Sequence, residues 1–414
     1  MLKNISDHKK YVLFSYLAMG SNMLNGFILF PLIIKYLGLT ALGVFGVLYS
    51  MKSIIDIGMG WMSGSMTKNL IKYKYLKNNI TTVSFITNWS YGLFGAFIFI
   101  LYGYFVKPDY FMSAVYFSVF VFVSFAWLPY SELLISELRQ YQVAFFRFFG
   151  QFLFMIGSIG AFLIVKDKSL DIIFMMLAIS NIVVFASLHI YYTSKFKLTL
   201  EYKKITKKMI YKLFVSDGSK FLFNGISTIL LLQIDVLLLD YLYGGASAGI
   251  YLIIWKIPNT LIMLGWRVSE PFQAVVPKRL KINTRGIRIE FFTLERKILL
   301  VSIFVATGYT FLGSYILDIW VGSENIPNIE YMYLVPALVI ILSIMQRLYV
   351  SVNYYTDGLN RVSILQFIEI GFKIIFIIFF FKSFQELAPI VGWLAAYLFT
   401  ILFYRNNSLK ILNG

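Results

Sequence analysis

Runs of roughly 20 apolar residues, separated by short polar stretches, follow one another along the whole of this chain. They lie at 11–34, 40–66, 80–106, 110–134, 141–165, 169–192, 210–242, 246–277, 291–318, 330–350, 356–381 and 387–404. Each is long enough to cross a bilayer as a helix, the one open-chain form that satisfies its own backbone hydrogen bonds in lipid. The pattern therefore predicts an all-α integral membrane protein of about twelve transmembrane helices. The runs 210–242 and 246–277 exceed the hydrocarbon thickness and predict tilt, kinks or amphipathic ends. The connections leave no room for a soluble domain. Composition agrees: 59% of the 414 residues are hydrophobic and 14% charged, and the mean hydropathy is +0.75.

Charge then orients the helices. An even number of crossings puts both termini on one side. Of the 37 Lys and Arg, 27 fall in the tails and loops of that side, 5 in the opposite loops (Lys35, Lys107, Lys166, Lys168, Lys382), and 5 within spans. The positive-inside rule makes the rich side, with both termini, cytoplasmic. It also accounts for the net charge of +17, which in a soluble chain would suggest nucleic acid. The basic loops also suit contact with anionic membrane lipids. The first apolar run is too long for a signal-peptide core and lacks a small-residue cleavage site, so it is expected to stay as an uncleaved helix.

The polar stretch Thr193–Lys212 has six spans on either side, which predicts two six-helix lobes, 1–198 and 199–414. The halves also match locally. Tyr36-Leu-Gly38-Leu-Thr-Ala-Leu-Gly43-Val-Phe45 stands where the second half has Leu242-Tyr-Gly244-Gly-Ala-Ser-Ala-Gly249-Ile-Tyr251. Six spans per repeat make the repeats parallel, related by an axis along the membrane normal.

Ionisable residues inside spans are costly, by about 2.5–3.5 kcal/mol each on insertion scales, and mark function by default. They are Lys52 and Asp56 in span two, Asp217, Lys220 and Asp235 in span seven, Lys256, Arg267 and Glu270 in span eight, and Glu369 and Lys373 in span eleven. Lys52/Asp56, Glu369/Lys373, Asp217/Lys220 and Arg267/Glu270 are three or four residues apart, so each pair can neutralise itself on one helix face. Asp235 and Lys256 lack such a partner. Either they pair with each other across the short exterior loop, or Lys256 is a cation in a water-filled cavity, the reading preferred here. Pro258, two residues on, is expected to expose carbonyls there. Pro31, Pro129 and Pro336 also interrupt spans.

No catalytic constellation emerges. The chain has no Cys, and its two His, His8 and His189, lie near the cytoplasmic side as incidental residues. No metal site and no cofactor are expected. There is no phosphate-binding Gly-Lys-Ser/Thr loop for an ATPase. A membrane polysaccharide polymerase or transferase would need a large exterior loop, which is missing.

Asn25-Gly-Phe-Ile-Leu-Phe-Pro31, Tyr36-Leu-Gly38, Gly43-Val-Phe-Gly46 and Asp56-Ile-Gly58, followed in the second half by Gln233-Ile-Asp235 and Ala248-Gly-Ile-Tyr251, resemble the Wzx-type O-antigen and polysaccharide flippases. These share a superfamily with the MATE-like multidrug and toxic-compound exporters and the lipid II flippases. The resemblance extends over the whole chain. It implies a V-shaped pair of lobes around a cavity. It further implies a flippase, not an enzyme, that moves undecaprenyl-pyrophosphate-linked oligosaccharide units to the periplasmic leaflet for lipopolysaccharide or a similar surface polymer. A polymerase and chain-length machinery are the implied partners. The pyrophosphate would seek Lys52, Lys220, Lys256, Arg267 and Lys373. Asp56, Asp235, Glu270 or Glu369 would carry a coupling proton or Na⁺, or serve structurally. An ion-coupled multidrug antiporter of the same fold is the alternative; its cavity should lean acidic, whereas here the five cations slightly outnumber the four acids.

Overall fold

A computed structural model of the protein describes residues 7–165, 168–195, 219–280, 284–329, 331–353 and 359–413. All regular structure among these residues is helical. One long helical run, Asp7–Lys72, covers the first two spans. It is broken at Gly38, where φ is 82° and ψ 175°, a left-handed conformation that glycine adopts without a Cβ penalty. The apolar part of this run is 46 residues long, about 69 Å of helix, more than twice a bilayer core. It is therefore two crossings, α1 before Gly38 and α2 after it, and the 11 membrane-length runs among the described residues amount to twelve crossings.

The remaining helices are α3 (Lys77–Phe105), α4 (Phe111–Ala126 continued by Leu128–Ser136), α5 (Gln140–Ile164) and α6 (Leu170–Lys195). The second half has α7 (Ser219–Tyr243), α8 (Gly245–Leu280), α9 (Thr284–Val321), α10 (Leu334–Asn353), α11 (Leu359–Phe379) and α12 (Ala388–Asn413). The chain turns from α7 into α8 at Gly244, whose φ of 89° repeats that of Gly38. The two halves thus use the same device at the same place.

Proline acts unevenly. α4 breaks at Trp127, just before Pro129, because a proline ring cannot donate to the preceding turn and crowds its carbonyl. Pro336 sits in the first turn of α10, where no intrahelical N–H is required. α8 stays helical through Pro258, so the expected interruption is absent. α8 and α9 have 36 and 38 residues, some 55 Å each, and carry basic residues where they approach each other in sequence.

The helices form two compact units. The first is residues 1–37 with 51–222, the second 38–50 with 223–414. The chain therefore enters the second unit for the start of α2 and returns. In the first unit α4 packs on α3 and α6, through Phe99, Phe117, Phe120 and Phe174. In the second, α10 is the central helix, packed against α8, α9 and α12. Large apolar side chains stay outside: Leu300, Phe304, Phe311, Tyr315 and Ile319 form an exposed stripe on α9. Water would oppose that surface; lipid does not. The protein is a multi-pass membrane protein. The polar stretch that separates the halves lies, from residue 196, outside the described residues.

Candidate functional site

Polar residues recur at three- and four-residue intervals on α11 (Ser363, Gln366, Glu369, Lys373), and α7 carries Asn224, with Ser227 and Thr228 three and four residues on and Asp235 seven beyond Thr228. Such spacing collects side chains on one helix face, and the structure joins the two faces. Asn224 Nδ2 donates to Ser363 Oγ at 3.2 Å. Gln366 Oε1 accepts from Ser227 Oγ at 2.6 Å and Thr228 Oγ1 at 3.3 Å. Two turns on, Lys373 Nζ donates to the Leu231 carbonyl and to Asp235 Oδ2, each at 2.6 Å.

The Asp235–Lys373 ion pair is buried, with each side chain 1% exposed. Tyr251 of α8 donates its hydroxyl to the same Asp235 Oδ2 at 2.6 Å. The ammonium also lies 4.1 Å from the centroid of the Trp393 ring on α12. Carboxylate, carbonyl and aromatic face together replace the water this cation has lost.

Glu369 lies one turn from Lys373 on α11, yet its hydrogen bonds go elsewhere. Its Oε1 accepts from Gln346 Nε2 of α10 and Thr400 Oγ1 of α12, both at 2.9 Å. Its Oε2 has no hydrogen-bond partner. Tyr397 donates to Gln346 Oε1 at 3.1 Å and extends the network. The pairing expected from spacing, Glu369 with Lys373, is thus corrected. So is the alternative pairing of Asp235 with Lys256. In both cases α7 and α11 pack face to face, and a tertiary contact overrides sequence proximity.

The first unit holds a more open pair. Lys52 Nζ donates to both carboxylate oxygens of Asp56, at 2.9 and 2.7 Å. Its ammonium lies 5.2 and 5.8 Å from the rings of Phe120 and Phe125. The Lys52 side chain is 14% exposed and that of Asp56 41%. Tyr91 donates to the Ile55 carbonyl at 3.0 Å, and its hydroxyl fills the space beside Gly58 that a Cβ would need. Asn25 of α1 donates to Gln151 Oε1 of α5 at 2.8 Å.

Sequence reasoning missed Glu132. It is fully buried on α4 and accepts from Ser84 Oγ, which also accepts from Asn88 Nδ2. Its signal was a carboxylate just inside the end of an apolar run, easily taken for a boundary. His189 bonds to Tyr130, Nδ1 to hydroxyl oxygen 2.6 Å.

Among the other proposed ligands, Lys256 is half-buried on α8, eleven residues after Gly245, some 16 Å along the helix and near mid-membrane depth. Arg267 is exposed. Lys373 offers a phosphate no exposed surface. Asp217 and the side chains of Lys220 and Glu270 lie outside the described residues.

No known family model and no curated protein matches this sequence. Solved structures do match. An inward-facing multidrug resistance MATE family transporter of the MOP superfamily superposes with a TM-score of 0.72 at 10% identity, over 96% of this chain and 98% of that one. The lipid II flippase MurJ, in an inward closed conformation, gives 0.67 at 16% identity, over 97% and 90%. A MOP superfamily transporter from Pyrococcus furiosus, whose binding pocket has reversed polarity suggesting a different function, gives 0.63 at 11% identity, over 98% and 97%. At such identities the likeness establishes the fold: this chain has the architecture of the MATE and MOP transporters.

Proposed function

We propose that this protein is a flippase for a lipid-linked oligosaccharide, carried on a polyprenyl pyrophosphate and moved by alternating access from the cytoplasmic to the periplasmic leaflet. The observation that carries this reading is the commitment of the buried acids. Asp235 is neutralised by Lys373, and Glu369 is hydrogen-bonded to Gln346 and Thr400. Both carboxylates are buried, so neither presents an exposed surface to a cationic substrate. α8 brings the cations Lys256 and Arg267. Those suit a pyrophosphate, for which Lys acts as a point charge and Arg as a fork. The structural likeness to a lipid II flippase supports a lipid-borne substrate.

Without a nucleotide site, turnover draws on an ion gradient or on the substrate's own gradient. Asp56, Asp235, Glu270 and Glu369 are the candidate carriers of a proton or Na⁺. We place the protein in a bacterial inner membrane with both termini cytoplasmic, supplying a surface-polysaccharide polymerase.

The second reading, an ion-coupled multidrug antiporter, draws on the multidrug transporters that share the fold and on Asp56, the most open of the described candidate acids. Purified protein in liposomes separates the two. Flippase activity accelerates the appearance of a pyrophosphate-linked oligosaccharide in the opposite leaflet and leaves a cationic dye undriven by an ion gradient. Dye accumulation without lipid movement would reverse the assignment.

A further inference from the structure

Cations are scarce on the side assigned as exterior, where 5 of the 37 Lys and Arg fall. Two of these five nevertheless meet on a single aromatic ring of the first unit. Lys168 Nζ stands 3.5 Å from the centroid of the Tyr36 ring, and Lys35 Nζ 5.6 Å from it. The two ammoniums are therefore at most about 9 Å apart, about a Debye length at physiological salt, and they repel each other. Among the described residues neither is paired with a carboxylate. The neighbouring Lys166 and Asp167 are of opposite charge and leave the balance positive.

Length fixes the depth of the pair. The apolar part of α1 begins at Leu13, and from there to Lys35 is about 33 Å of helix, one hydrocarbon thickness. Lys35 thus reaches the level of the lipid phosphates in the far leaflet. Lys168 comes from the turn between α5 and α6, two residues ahead of Leu170. Tyr36 is 43% exposed, and its ring lies 5.9 Å from that of the buried Phe162 on α5. The next two residues, Leu163 and Ile164, are each 82% exposed. Cations at headgroup depth therefore stand beside an apolar surface, which together suit an amphiphile with an anionic head.

A single lysine here would be an ordinary interface anchor. Two on one ring add mutual repulsion, which an anion between them removes. We propose that Lys35, Lys168 and Tyr36 form a site for the phosphate head of a lipid in the exterior leaflet, with the lipid's chain along Leu163 and Ile164. A diphosphate carries more than one negative charge, so two ammoniums favour it over a phosphodiester. The site then receives the polyprenyl diphosphate head of the carrier once it has crossed. That preference rests on the flippase reading; the lipid-phosphate site does not.

The chain has no Cys, so a polarity-sensitive dye on L163C reports from the site alone. The purified protein in detergent is titrated with undecaprenyl diphosphate, phosphatidylglycerol and inorganic pyrophosphate. A saturable response to undecaprenyl diphosphate is expected. Adding K35A/K168A should weaken it at least about tenfold, as the loss of charged hydrogen bonds implies, with thermal unfolding unchanged. K35R/K168R should retain the response, and so should K382A, which removes an exterior lysine of the second unit. An equal response to phosphatidylglycerol supports the lipid-phosphate site and removes the preference for the carrier. An unchanged titration in K35A/K168A, or a response to inorganic pyrophosphate without one to either lipid, overturns the proposal. The flippase reading is judged separately, by lipid movement.

Discussion

Gly43 on α2 and Gly249 on α8 are each pressed against the start of the other's helix. A Cβ on Gly43 would overlap the Gly245 carbonyl, and one on Gly249 the Leu39 carbonyl. The contact is reciprocal, and backbone meets backbone, so no side chain can swing away. G43A and G249A should each cost about 1–3 kcal/mol through forced separation of the helices. Gly371 has nothing within 4 Å of a built Cβ, so G371A should be neutral or slightly stabilising. Thermal unfolding in detergent compares the three.

Breaking the buried ion pair should be asymmetric. K373M leaves Asp235 and Glu369 together without a cation, at a cost of about 3–5 kcal/mol. D235N should cost less, since Glu369 can take over the balance of Lys373. The double variant D235N/K373M should recover much of the K373M loss. Denaturation midpoints of the full cycle check the order; equal losses in the two single variants would contradict it.

The Lys52–Asp56 pair should behave differently, since Asp56 is 41% exposed. D56N is expected to change stability by less than about 1 kcal/mol. Unfolding of D56N beside K373M shows the contrast directly.

If Lys256 meets the pyrophosphate, K256A removes a charged hydrogen bond worth about 1.5–3 kcal/mol. Lipid movement should fall by one to two orders of magnitude, with protein abundance unchanged. K256R should retain part of the activity. Wild-type rates in K256A would remove Lys256 from the site and leave the function open.

Topology can be read without background, because the chain has no Cys. Single cysteines placed at Lys107 or Lys382 should react with an impermeant maleimide in whole cells. Those at Lys68 or Lys410 should react only after permeabilisation. The reverse pattern would invert the assigned orientation.

The crossings were legible because lipid makes hydrophobic length a strict requirement, and the Gly38 and Gly244 turns because the same motif occurs twice. The cluster was only half legible. Asp235, Glu369 and Lys373 stood out as charges at membrane depth, but one-dimensional spacing could not show that α11 turns its polar face to α7. The stripe Ser363, Gln366, Glu369, Lys373 was readable at helical periodicity, yet its uncharged members draw no notice among apolar neighbours. Glu132 was hidden for another reason: an acid near a span end looks solvated until Ser84 is found beside it.

The central claim is the nature of the cargo, and cells lacking this gene test it most directly. Their lipids should contain undecaprenyl-pyrophosphate oligosaccharide confined to the cytoplasmic leaflet, with surface glycan lost, and the wild-type gene should reverse both. Intact surface glycan with no trapped intermediate would contradict the account and point to the antiporter.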